Sequence, residues 1–195
     1  MKRFAVLLTI LISAHAMAQD SLQSLNYTRT HTTLTGMKVL GIWGAVNMGV
    51  GAVGWAKSEG ESHKYFYQMN TFWGVTNAGI GLLSYLGNKR NSGKQLTADE
   101  SLKAQHSIEK IFLINGGLDF VYIGTGILLN VRGNNKNNAQ LKGYGSSLIM
   151  QGAFLLLFDG AMYNAHRTNG NKLRNFLEKN TIIFNGNSIG LVYNF

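Results

Sequence analysis

The sequence of 195 residues contains no cysteine and no proline, and only 14% of its residues are charged. The absence of cysteine excludes disulfides, thiolate catalysis and cysteine-ligated metal or iron–sulfur sites. Acidic residues are the scarcer charged class, with nine Asp and Glu against eighteen Lys and Arg, and the formal net charge is +9. Because the basic residues lie between apolar runs, we expect them to contact anionic lipid headgroups. No basic helix and no basic–aromatic platform occurs, so nucleic acid is not an expected partner.

Apolar residues, in contrast, make up 45% of the chain, and glycine is abundant with 24 residues. This composition is typical of helical membrane proteins, in which small residues let helices approach closely. Four runs that are almost free of charge are each long enough to cross a bilayer. They cover residues 39–56, 65–88, 111–131 and 143–165. Since short connections favour antiparallel neighbours, the sequence predicts an all-α membrane protein, a four-helix transmembrane bundle of two hairpins within residues 19–166.

The segments between these runs carry most of the charge. Residues 20–38 are polar and predict an interfacial segment before the first span, and residues 132–142 predict a polar turn. Thr97 followed by Glu100 three residues later is the pattern of a capping box, which predicts that the third helix begins just after Thr97. Residues 167–179 are basic and predict a short surface helix.

Residues 1–18 resemble a bacterial secretory signal peptide, with a basic start, a short apolar stretch and the cleavage pattern Ala16-Met17-Ala18. A cleaved signal would place the mature N-terminus outside the cytoplasm. Four spans would then place residues 89–110 and the C-terminal segment outside as well, although these are the segments richest in Lys and Arg, against the positive-inside rule. We expect a multi-pass protein of the bacterial membrane, the inner in preference to the outer, with its orientation open.

Residues 167–195 form a polar C-terminal tail. Its last part has alternating apolar residues around Asn185-Gly186, which predicts a β-hairpin. The C-terminal aromatic residue resembles the closing strand of outer-membrane β-barrels, so a barrel-like protein is one alternative. The rest of the chain lacks the alternating segments of about ten residues that a barrel needs.

A repeat links the first two runs. The pattern W-G-x-x-N-x-G-x-G begins at Trp43 and again at Trp73. On a helix, each copy places one asparagine, Asn47 or Asn77, within a stripe of small residues, as expected of a helix–helix contact in lipid. The two amides either hold helices together or line a site.

The third and fourth runs each contain a single formal charge, Asp119 and Asp159 respectively. An aspartate at the centre of a spanning helix costs about 2.5–3.5 kcal/mol to insert, so the fold has to receive both carboxyl groups. In an antiparallel pair they lie towards the same membrane side and can share a polar pocket, with at least one of them protonated. The candidate polar core or binding site consists of Asn47, Asn77, Asn115, Asp119, Gln151, Asp159, Tyr163 and His166.

Two cofactor hypotheses are alternatives to this polar core. His106 and His166 fall on the same predicted membrane side, which allows a bis-histidine haem site. Glu109 and His106, near Asp159 and His166, allow a divalent metal site. A surface histidine at a helix end is the more common situation, so we expect no cofactor and no metal. No H-E-x-x-H, G-x-S-x-G or P-loop motif occurs, and we expect no enzymatic activity and no catalytic residue.

The second half of the chain resembles an uncharacterised family of membrane proteins found in Bacteroidetes-type bacteria. The residues that carry the resemblance are Asn115-Gly116-Gly117-Leu118-Asp119 with Tyr122-Ile123, Gly143-Tyr144-Gly145, the run Gln151–Asp159, Met162-Tyr163 and His166. The resemblance implies a four-helix membrane protein of unknown function and supplies no chemistry.

The leading functional hypothesis is an integral membrane protein of the bacterial envelope whose polar helix core binds or passes a small solute or a proton. The alternatives are a structural or assembly partner that docks through its C-terminal tail, a barrel-like outer-membrane protein and, last, an intramembrane enzyme. The expected partners are the lipid bilayer and either a second copy of the chain or another envelope protein.

Overall fold

The computed structural model describes the backbone of residues 2–179, 181–184 and 189–192, and the side chains of residues 19–179. Within these residues the chain forms four α-helices. They are α1 (Lys2–Lys57), α2 (Glu61–Asn91), α3 (Ala98–Asn135) and α4 (Ala139–Lys179). The predicted helical class is confirmed, and the barrel-like alternative is wrong for this part of the chain.

Two short strands follow the helices, β1 (Thr181–Phe184) and β2 (Ile189–Val192). They pair antiparallel, with Phe184 opposite Ile189. The predicted Asn185-Gly186 turn lies outside the described residues, so the hairpin as a whole stays a prediction. The signal peptide also stays a prediction, because the backbone of residues 2–18 shows helix and does not test cleavage.

The helices continue beyond the predicted spans. The third begins after Thr97, whose hydroxyl accepts a hydrogen bond from the Glu100 backbone while the Glu100 carboxylate accepts one from the Thr97 backbone, so the predicted capping box is confirmed. Residues 20–38, predicted as an interfacial segment that enters the first helix, belong to α1, and their position at a membrane interface stays a prediction. Their polar side chains pair with other helices: Asn26 donates to the Ser101 hydroxyl at 2.7 Å. Residues 167–179 likewise continue α4 instead of forming a separate helix.

Consecutive helices pack as two antiparallel hairpins, α1 on α2 and α3 on α4, and α4 also packs on α2 and, to a lesser extent, on α1. The first glycine of each repeat copy, Gly44 or Gly74, lies against the backbone of the facing helix. A Cβ on Gly44 would collide with the backbone of Ala78, and one on Gly74 with the backbone of Met48. The two copies of the sequence repeat therefore pack against each other, and the missing side chains let the backbones approach closely.

The bundle is polar inside and apolar outside. Among residues 19–179, thirteen polar or charged residues are buried against seven hydrophobic ones. Large apolar side chains such as Leu83 and Leu157 are 72% and 76% exposed. In water this arrangement would be unfavourable, since burying polar groups is costly and exposed apolar surface drives association. In lipid it places the apolar faces against acyl chains.

Three of the helices, α1, α3 and α4, are long and apolar enough to cross a membrane. The prediction of four spans is therefore supported by hydropathy for three helices and not for α2. The reason is that α2 carries Gln68, Asn70 and Asn77 in addition to tyrosines, and its buried face consists of asparagine and glycine. With 31 residues its length is about 46 Å, which is still sufficient to span a bilayer beside its partners.

Candidate functional site

Two polar layers lie along the inner face of α4, at Gln151 and at Asp159. These residues are eight positions apart, which is about 12 Å along the helix axis. The first layer, which we call the amide cluster, consists of Trp43, Asn47, Asn70, Asn77, Ser147 and Gln151. The second, which we call the acid cavity, surrounds Asp119 and Asp159.

Gln151 holds the amide cluster together. Its amide nitrogen donates to the side-chain oxygens of Asn47 and Asn70, each at 2.8 Å. Its carbonyl oxygen accepts from the Trp43 indole at 3.0 Å and from Asn77 at 3.4 Å. One side chain of α4 is thus hydrogen-bonded to both asparagines of the α1–α2 repeat, and the Trp43 ring is fixed further by stacking on Phe154.

The acid cavity lies among all four helices and has a volume of about 310 Å³. Asp119 and Asp159 are both buried, and their carboxyl groups are hydrogen-bonded neighbours. A hydrogen bond between two carboxyl groups requires a proton on one of them. The wall also includes Asn77 and Asn115 from the predicted polar core.

Two polar atoms of the acid cavity lack a partner. Asp119 is 2% exposed, and its Oδ2 is buried with no hydrogen bond. The same holds for Nε1 of Trp73, whose ring packs edge-on against Tyr122 with the centroids 5.2 Å apart. Buried polar groups are normally hydrogen-bonded, so an acceptor and a donor in one cavity without partners point to a bound molecule.

A third polar cluster lies beyond the acid cavity, towards the end of the bundle where α4 terminates. His166 is buried there, its Nε2 lies 3.4 Å from the Thr33 hydroxyl and its ring stacks on Phe112. Glu109, also buried, accepts hydrogen bonds from Gln105, Arg167 and Arg174 at 3.1–3.3 Å. Gly170 makes this possible, because a Cβ there would collide with the Glu109 carboxylate.

The structure places the predicted site residues in different surroundings. Asn77, Asn115, Asp119 and Asp159 line the acid cavity. Asn47 and Gln151 belong to the amide cluster, which adjoins the cavity through Asn77. Tyr163 packs against the apolar residues around Met162, and His166 lies in the third cluster.

The haem and metal hypotheses find no geometric support. His106 is exposed on α3, whereas His166 is buried in the third cluster, so the two imidazoles do not face one site. Within residues 19–179, no group of three His, Asp or Glu side chains converges where a metal ion could be held.

Sequence reasoning missed several of these residues. The sequence indicates Trp73 only as a repeat position and Asn70 only as a position on the same helical face, and no pattern indicates Ser147. Gln105 is fully buried, although it lies in a segment that appeared to be a charged connection. The spacing of Gln105, Glu109 and Phe112 is a usable signal. It places the two polar residues on the same helical face as the apolar Phe112, which indicates that they point into the bundle.

Residues 39–160 match the profile of a family of unknown function, DUF6992. The chain belongs to this family. The DUF6992 match spans the amide cluster and both aspartates, and it leaves out His166 and the arginines that contact Glu109. It also covers residues 39–91 of the first hairpin. No curated protein and no solved structure matches this chain.

Proposed function

We propose that this member of the DUF6992 family is an integral membrane protein of the bacterial envelope whose acid cavity binds or passes a small polar solute. The apolar exterior and the polar interior support the membrane location, because each is unfavourable in water and favourable in lipid. The three helices of sufficient length and hydropathy support it independently.

The observation that carries the solute proposal is the pair of buried atoms without partners, Asp119 Oδ2 and Trp73 Nε1, on the wall of one cavity. A polar core that only fixes helix register would satisfy its own groups, as the amide cluster does. Charged groups inside a membrane are costly and commonly mark solute or proton pathways. The acid cavity therefore fits a binding role better than a purely structural one.

The docking alternative depends on the C-terminal tail. The described part of this tail is limited to the two paired strands, and no contact made by them favours a partner. Docking remains the second hypothesis, and deletion of residues 181–195 would test it, because a docking protein would lose its partner while a solute-binding bundle would keep its ligand.

Membrane crossing can be tested by labelling intact cells with a membrane-impermeant thiol reagent, since the chain has no native cysteine. Asn91→Cys reports on the connection between α2 and α3, and Asn135→Cys on the turn between α3 and α4. The neighbouring Asn137 is less suitable because its φ is +48°. Labelling of one variant alone is expected if α3 crosses the bilayer. Labelling of both would contradict the proposal, provided that a known periplasmic cysteine is labelled as control.

Solute access to the acid cavity can be tested with Ser84→Cys, a nearly isosteric change on the cavity wall. The probe is methyl methanethiosulfonate, a small neutral reagent that reacts with the thiolate and therefore reports water at the site. We expect Ser84→Cys to react at least about tenfold faster than Val75→Cys, which faces outward on the same helix, and to approach Asn91→Cys. Equal rates at Ser84→Cys and Val75→Cys would show that no solute enters.

A further inference from the structure

The charge on the cavity wall indicates what kind of solute would bind, if the proposed solute-binding function holds. Eighteen residues line the acid cavity, and Asp119 and Asp159 are the only charged ones among them. Because the two carboxyl groups share a hydrogen bond, the pair retains at least one proton and carries at most one negative charge. Within the cavity no Lys, Arg or His balances that charge, and a buried charge without a partner is strongly unfavourable.

The remaining residues of the cavity wall favour an organic cation over a hydrated inorganic ion. Eleven of the eighteen lining residues are aliphatic or aromatic. Aromatic rings attract a cation through their faces, and aliphatic side chains favour an apolar body over a hydrated ion. At about 30 Å³ per water, a cavity of about 310 Å³ has room for a molecule of several heavy atoms.

The two unpartnered atoms specify polar groups on that molecule. Asp119 Oδ2 is an acceptor and requires an N–H or O–H donor, and Trp73 Nε1 is a donor and requires an acceptor. We infer that the acid cavity binds a small organic cation, a primary amine on a short apolar body that also carries a hydroxyl or carbonyl oxygen. The ammonium group would bind Asp119 and the oxygen would accept from Trp73.

Three probes of similar size separate these requirements. 4-Amino-1-butanol has the cation and the oxygen, n-butylammonium has the cation alone, and 1,4-butanediol is neutral. The measurement is protection of the Ser84→Cys variant from methyl methanethiosulfonate by each probe. We expect 4-amino-1-butanol to protect at about tenfold lower concentration than 1,4-butanediol, a difference of about 1.4 kcal/mol, because the diol leaves the buried negative charge without a counter-ion. We expect n-butylammonium to be intermediate, because it supplies the charge but leaves Trp73 Nε1 without an acceptor.

The same assay in variant backgrounds assigns each contact. Asp119→Asn should lower the advantage of 4-amino-1-butanol over 1,4-butanediol, because the remaining negative charge lies on Asp159 and no longer on the group that contacts the ammonium. Asp99→Asn should leave the advantage unchanged, because Asp99 is exposed and pairs with Lys103 outside the cavity. Trp73→Phe should abolish the advantage of 4-amino-1-butanol over n-butylammonium.

Equal protection by the diol, or equal protection by sodium chloride at the same concentration, would overturn the inference while leaving the solute cavity in place. These comparisons need only Ser84→Cys in the otherwise unchanged chain, so they stand even if Asp119→Asn fails to fold. If Ser84→Cys does not react with the neutral reagent at all, the solute-binding function and the inference both fail.

Discussion

Trp43 and Trp73 occupy the same position in the two copies of the sequence repeat, yet only one of their indole nitrogens has a hydrogen-bond partner. The Trp43 nitrogen donates to Gln151 in the amide cluster, and the Trp73 nitrogen has no partner in the acid cavity. The difference comes from α4, which presents an amide side chain to one repeat and a carboxyl group to the cavity beside the other. The packing of α4 thus makes the surroundings of the two repeat copies different, although their sequences are similar.

This difference separates two uses of polar groups inside a membrane protein. In the amide cluster, Gln151 hydrogen-bonds residues of both α1 and α2, so it fixes how α4 sits on the first hairpin. In the acid cavity, the carboxyl groups satisfy each other only in part, and one acceptor and one donor remain. Satisfied networks stabilise a unique arrangement, whereas unsatisfied groups lower stability unless a ligand binds.

The largest effect is expected from Gln151→Leu, which would break the amide cluster. The change leaves the Trp43 indole and the Asn47 amide oxygen buried without their partner, and we expect a loss of about 2–4 kcal/mol in the free energy of unfolding. Denaturant titration in detergent micelles, followed by circular dichroism, measures it. The matched control is Gln140→Leu, an exposed position at the start of α4. Equal stability of the two variants would mean that the cluster contributes nothing to the fold.

The sequence alone predicts which polar residues lie inside the bundle, but it does not predict their hydrogen-bond partners. The cost of a carboxylate in lipid requires Asp119 and Asp159 to meet, and helical spacing places Asn47 and Asn77 on inward faces. Which tryptophan is satisfied cannot be derived, because both copies of the repeat carry the same residues. The answer depends on the rotation and height of α4, which are set by packing over the whole bundle.

The ends of the helices were predicted less well for a related reason. Polar residues at 20–38 and 100–109 indicate surface when hydropathy is considered one segment at a time. In the structure they pair with each other, as Asn26 does with Ser101, and Glu109 is covered by arginines from α4. Polarity that is satisfied by another helix has the same local composition as polarity that is satisfied by water.

The second prediction asks whether the hairpin backbone is as symmetric as its sequence. Gly44→Ala and Gly74→Ala each introduce a methyl group against the facing backbone, and we expect each to destabilise by about 1–3 kcal/mol. Gly49→Ala and Gly79→Ala are the matched controls in the same repeat, because nothing lies within 4 Å of a Cβ at either position. Those two should be neutral or slightly stabilising. A large difference between Gly44→Ala and Gly74→Ala would place part of the asymmetry in the hairpin itself.

The third prediction compares the tryptophans directly. Both substitutions lose the same ring area, and the prediction concerns the loss of stability beyond that. Trp43→Phe removes a donor that is hydrogen-bonded to Gln151, and we expect the free energy of unfolding to fall by about 1 kcal/mol. Trp73→Phe removes a donor without a partner, and we expect about half that loss or less. The two values come from the same denaturant titration. A larger cost for Trp73→Phe would indicate that its nitrogen has a partner within the folded chain, and the acid cavity would lose its unsatisfied donor.

The smallest change in stability is expected from the substitution with the largest consequence for binding. Asp119→Asn keeps the size of the side chain, its amide can donate to Asp159 in place of the shared proton, and the negative charge then rests on Asp159 alone. We expect the free energy of unfolding to change by less than about 1 kcal/mol, since a group that is unsatisfied in the ligand-free fold contributes little to it. The matched substitution Asn47→Asp in the amide cluster should be far less tolerated, because its new charge would lie among groups that already have their partners. If Asp119→Asn destabilised the bundle as much as Gln151→Leu, the carboxyl pair would hold the helices together in the way the amide cluster does, and the distinction between a structural layer and a binding layer would be lost.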